Sequence, residues 1–94
     1  MNRPPELVKI RKQMHLLFRE PTSLRDLLEL RQEWQEQLED LQLQPLEPDI
    51  ALLVQNAHKK LVELKALPAS HKSLTTEAQH TYFKDKLIAA VDAF

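Results

Sequence analysis

Apolar side chains recur along the chain in steps of three and four, and prolines at positions 4–5, 21, 45, 48 and 68 separate the runs. Such steps gather side chains on one face of a 3.6-residue helix. The strict alternation of a half-buried strand is absent. Each segment between prolines has the length of a helix, and proline suits only the first turn of one.

The first run holds Leu7, Ile10, Met14, Leu17 and Phe18 and ends before Pro21. The second follows Thr22-Ser23, whose hydroxyls suit a helix N-cap, with Asp26 in the first turn where the dipole favours a negative charge. Its stripe is Leu24, Leu27, Leu30, Trp34, Leu38 and Leu41, and it stops near Gln44 because Pro45 and Pro48 follow. The third opens at Pro48-Asp49, carries Ile50, Leu53, Val54, Ala57, Leu61 and Leu64, and extends to about Leu67. Pro68 to Ser73 reads as a loop. The fourth opens at Thr75-Thr76, where Thr76 and Gln79 have the spacing of a capping box. It carries Phe83, Leu87, Ala90, Val91 and Phe94. The chain stops on that stripe, so its last turn either packs or frays.

The expected fold is all-α: an antiparallel, up-down-up-down four-helix bundle with helices near 5–20, 23–44, 48–67 and 75–94, forming one domain over residues 1–94. Trp34 is its largest core or interface group.

Charge divides along the same segments. Residues 1–20 carry five basic and two acidic side chains, residues 21–49 two and eight, residues 50–75 four and one, residues 76–94 two and three. A basic, an acidic and a basic helix in succession suit one another as neighbours. Exposed pairs contribute only about 0–1 kcal/mol each, so they help select neighbours and do not hold the fold.

Composition then narrows the chemistry. The chain has no glycine among 94 residues. Phosphate-cradling loops, dinucleotide fingerprints, EF-hand turns and nucleophile elbows all need glycine, so each is excluded. It has no cysteine, which removes disulfides, thiol catalysis and thiolate metal sites. The opening residues Met1 to Glu6 lead into a mixed-charge segment, so no secretory signal and a cytoplasmic location are expected. The longest apolar run, Ile50 to Val54, is far too short for a membrane span.

The remaining polar residues form no catalytic constellation. His15, His58, His71 and His80 lack the i,i+4 spacing of metal-binding pairs. Glu77 to His80 matches one Glu-x-x-His string, where a di-metal bundle needs two. No enzyme activity, metal, cofactor or small-molecule substrate is expected. The basic cluster Lys9, Arg11, Lys12 and Arg19 is the footprint of an alternative role in nucleic-acid association, against which the pI of 6.4 counts.

The most informative feature is a surplus of apolar side chains. At about 100° per residue, Leu16 falls about 180° from Leu7, Leu52 about 200° from Ile50 and Val62 about 120° from Ile50. Leu28 and Ile88 also lie off their stripes, and Val8 is near an edge. A domain of this size buries only about 60–65% of its unfolded surface and gains from a partner. The expected function is therefore a small helical protein–protein interaction module: an adaptor, assembly or regulatory factor. Leu16, Leu28, Leu52, Val62 and Ile88 would meet another protein or a second copy of the chain.

Overall fold

The computed structural model describes residues 4–20, 22–64 and 75–94. They form four helices, α1 (Pro5–Leu17), α2 (Leu24–Gln42), α3 (Pro48–Glu63) and α4 (Thr76–Val91), and no strand among the described residues.

The helix starts follow from local chemistry. Pro5 and Pro48 occupy first-turn positions of α1 and α3, where a missing N–H costs nothing, and Glu6 and Asp49 add the favoured negative charge. Ser23 caps α2, its Oγ accepting from the Asp26 N–H at 3.1 Å. Thr75 caps α4, accepting from the Ala78 N–H at 3.2 Å. The cap residue is thus Thr75, one position before the Thr76 expected to open the box, and Ala78 takes the third helical position.

All four helices end earlier than the periodicity implies, α4 at Val91 and not at Phe94. The Phe18 N–H bonds His15 O at 3.2 Å, and the Arg19 and Glu20 N–H groups both bond Leu16 O at 3.0 Å. Residues 18–20 thus form a turn that tightens the end of α1. Phe18 is left 64% exposed, outside the stripe assigned to it. α2 ends two residues before Gln44, again with tight bonds, Leu43 N–H to Asp40 O and Gln44 N–H to Leu41 O. α3 ends at Glu63, not at Leu67. Leu64 has turned to ψ 34. The Leu61 carbonyl accepts both from the Leu64 N–H and from Arg31 Nη1, each at 3.2 Å. The loop expected over 68–73 lies outside the described residues.

The core is one cluster to which all four helices contribute. Leu7, Ile10, Met14 and Leu17 come from α1, and Leu27, Trp34, Leu38 and Leu41 from α2. Ile50, Val54, Ala57, Leu61 and Leu64 come from α3 and its cap, and Phe83, Leu87, Ala90, Val91 and Phe94 from α4 and the turn after it. Phe94 is buried, with its N–H on Val91 O at 3.2 Å, so the last turn packs. Leu24, Leu30 and Leu53 are only partly buried at the edge. α2 and α3 share the largest interface. α2 and α4 also touch, α1 leans on both, and α1 and α3 barely meet.

Trp34 is fully buried, and its indole N–H donates to Gln13 Oε1 on α1 at 2.6 Å. His80 of α4 bonds the Thr22 carbonyl just ahead of α2. The carbonyl accepts, so the Nε2 of His80 carries the proton.

Candidate functional site

Two features stand out once the core is closed: a polar ladder that runs from buried Arg31 out to exposed Glu39 between α2 and α3, and an uncovered surface of mixed apolar and charged character.

The ladder begins at Arg31, which sequence reasoning passed over. It is the only charged residue buried among the described residues, at 9% exposure. On the helical wheel it lies about 40° from Leu27 and about 20° from Leu38, between Leu38 and Leu24, so its backbone position directs it inward regardless of side-chain type. Its Nη1 donates to Leu61 O at 3.2 Å and to Gln35 Oε1 at 2.6 Å, and its Nη2 donates to Gln32 Oε1 at 2.9 Å. Its Nε finds no partner. No carboxylate among the described residues comes within ion-pairing distance. The compensation for burying this cation is the C-terminal end of α3, whose last carbonyls carry the negative pole of the helix dipole.

Gln35 relays the ladder outward. Its Oε1 accepts from Arg31, and its Nε2 donates to Glu39 Oε1 at 3.1 Å. The same carboxylate oxygen accepts from His58 Nε2 of α3 at 3.2 Å. These two donors, Gln35 first and His58 second, hold the Glu39 carboxyl below its ordinary range, against a smaller opposing effect of desolvation. The ladder ties α2 to α3. Among the described residues, no group of three His, Cys, Asp or Glu side chains converges as a metal site would require. His71 lies outside them. Glu77 is exposed at the start of α4.

The surface residues fall into two sets. Leu16, Leu28 and Leu52 are 50%, 39% and 58% exposed, and Val8 is 41% exposed. Val62 is half-buried, and Ile88 is half-buried against the core. Leu43, not among the residues singled out from sequence, is 86% exposed. Its position about 200° around the wheel from buried Leu41 was the signal for it.

The charges are as uneven as the sequence implies, and among the described residues almost none is neutralised by a neighbour. The exposed residues of α1 are Pro5, Val8, Lys9, Arg11, Lys12, His15 and Leu16: not one is acidic. Arg19 is exposed just past the helix, and Lys12, His15, Leu16 and Arg19 together line one shallow depression. α2 exposes six carboxylates, Asp26, Glu29, Glu33, Glu36, Glu39 and Asp40, against one cation, Arg25. Arg25 pairs with Glu29 at 3.7 Å within its own helix. Glu39–His58 is the one contact between helices, among the described residues, that pairs a carboxylate with a basic side chain. The basic and acidic helices are neighbours as expected, yet no cation of α1 reaches a carboxylate among the described residues.

Among the described residues, no helix is long and apolar enough to cross a membrane. Comparison with family models, with curated proteins and with solved structures finds no match to this chain in any of the three.

Proposed function

We propose that this chain is a single-domain helical interaction module without catalytic activity, acting in the cytoplasm through a surface centred on Leu16, Leu28 and Leu52. The observation that carries the reading is that these side chains, with Val8, stay exposed after four helices have closed a complete core around Trp34 and Phe83. One exposed leucine is ordinary. An uncovered large aliphatic residue on each of three helices is apolar area that a partner would remove from water, at roughly 25 cal/mol per Å². Val62 and Ile88 would contribute the borders of such a surface.

The up-down-up-down course belongs to the same reading. Two ties between α2 and α3 support it: Arg31 meets Leu61, while Glu39, further along α2, meets the earlier residue His58. The bond between His80 and Thr22 supports it too, since it brings the starts of α2 and α4 to one end, as diagonal helices of such a bundle require.

A second reading, nucleic-acid association through Lys9, Arg11, Lys12 and Arg19, is favoured by the acid-free face of α1. The carboxylates of neighbouring α2 oppose it, because they repel phosphate at short range.

The test is site-specific photocrosslinking in cells, with the reactive side chain placed in turn at positions 16, 28 and 52 and, as control, at exposed Asp85. Adducts confined to the first three positions, and lost with a charged Leu16→Glu background, support the reading. No adduct at any of the three, with helix content intact, overturns it. Unfolding of Leu16→Glu or Leu52→Glu would overturn it as well, by showing those residues to be core.

A further inference from the structure

We propose that the partner of the α1–α2 side of the bundle is a second copy of this chain, with the basic face of α1 set against the acidic face of α2 in the other copy. This rests on the interaction-module reading and adds the occupant.

The argument starts from how the two helices sit. Gln13 reaches Trp34, so the side of α1 near Gln13 borders α2. On the wheel Lys9 and Leu16 lie about 40° and 60° from Gln13, and Lys12 continues outward from them. On α2 the residues turning outward from the same border are Glu33, Glu36 and Asp40. One side of the molecule is therefore a pair of adjacent strips of opposite charge, each exposed and each without partners across the helix boundary among the described residues.

A protein of one charge sign would satisfy only one strip. A second copy satisfies both at once, and the charges select the geometry. A two-fold axis running along the helices places each α1 on the other copy's α2. A two-fold axis across the helices in the same plane would set α1 on α1, cation against cation. Only the first arrangement is complementary, and it is isologous, as closed homodimers are. Val8 and Leu16, interleaved with the cations of α1, would lose their water in the same contact.

The size of the face sets the strength. α1 is 13 residues long, about 20 Å at 1.5 Å per residue. Two helices about 10 Å apart make it about 20 Å wide. A stable interface takes about 800 Å² per partner, and this flat area of about 400 Å² falls at the weak end. The dimer is accordingly concentration-dependent and sensitive to salt.

The experiment is sedimentation equilibrium over two decades of concentration at low and high salt. It uses the wild-type chain, Lys9→Glu/Lys12→Glu, Glu33→Lys/Glu36→Lys, and an equal mixture of the two variants, with helix content of each checked by circular dichroism. The wild type should rise from 11.0 kDa toward twice that mass at low salt and fall back at high salt. Each variant alone should stay at the monomer mass, and the mixture should recover the dimer, because each copy then offers the strip the other lacks. A wild type fixed at the monomer mass overturns the proposal, as does a dimer indifferent to salt and to both charge reversals. A monomer that binds a random-sequence oligonucleotide, with binding lost in Lys9→Glu/Lys12→Glu, overturns it in favour of nucleic acid. The crosslinking outcome separates the two levels. Adducts at positions 16, 28 and 52 to a different protein only would overturn the dimer and leave the interaction module standing.

Discussion

Replacing Arg31 by alanine and by methionine separates what its charge contributes from what its bulk contributes. The alanine variant removes two methylenes beyond Cβ, about 1.6 kcal/mol at about 0.8 kcal/mol each, and leaves a cavity where the side chain was. It also strips three hydrogen bonds. Leu61 O keeps the Leu64 N–H at 3.2 Å, and exposed Gln32 is rehydrated, but half-buried Gln35 Oε1 loses its donor, at about 1 kcal/mol or more. The expected cost is about 2–4 kcal/mol, which lowers Tm by roughly ten degrees or more in a chain of this size. Methionine restores most of the volume and removes a buried cation that has no carboxylate and an unpartnered Nε, so it should fall within about 1 kcal/mol of the wild type. Urea denaturation read by circular dichroism measures both, with an unchanged slope confirming that only stability moved. Total stability of about 5–14 kcal/mol leaves room to measure either variant. If methionine costs as much as alanine, the attraction of the guanidinium to the end of α3 exceeds its desolvation, and the reasoning is refuted.

Trp34→Ala should cost about 3–5 kcal/mol and Trp34→Phe, which keeps most of the ring but leaves Gln13 Oε1 without its donor, about 1–2 kcal/mol; a loss below 1 kcal/mol for alanine in thermal unfolding would contradict its burial. Ser23→Ala and Thr75→Ala each remove a cap acceptor and should cost about 0.5–2 kcal/mol, with amide exchange quickened at Asp26 and Ala78 respectively; protection unchanged at those amides would count against the caps. The Glu39 carboxyl titrates below its ordinary value of 4.5, so its contribution to stability is present above that pH and is lost as pH falls through the lowered value. NMR titration should show it moving back up in both Gln35→Ala and His58→Ala, since each removes a donor to the carboxylate; an unmoved titration in both would refute the assignment.

The all-helical fold was legible because its cause is local and repeated. Leu7, Ile10, Met14 and Leu17 on α1, or Phe83, Leu87, Ala90 and Val91 on α4, share a face for any helix that contains them, and proline and hydroxyl residues mark where such helices start. The off-stripe positions of Leu16, Leu28 and Leu52 come from the same arithmetic, and their exposure agrees with it. The helix ends were less legible. The early end of α3 coincides with a bond from a residue thirty positions away, and no window around Leu64 contains Arg31. Phe18 and Leu43 show the same limit: both continue a leucine-rich pattern, yet each sits at a C-cap beyond the packed layer.

Sequence alone thus determined the helices, the faces that bury, and the opposite charges of α1 and α2, because propensity, periodicity and charge belong to the chain itself. Tertiary structure decided which charges are neutralised. Arg31 is compensated by a helix end instead of a carboxylate, Glu39 by two donors from different helices, and the outer strips of α1 and α2 by nothing among the described residues. Those outcomes depend on distances between segments, which packing sets and spacing along the chain does not.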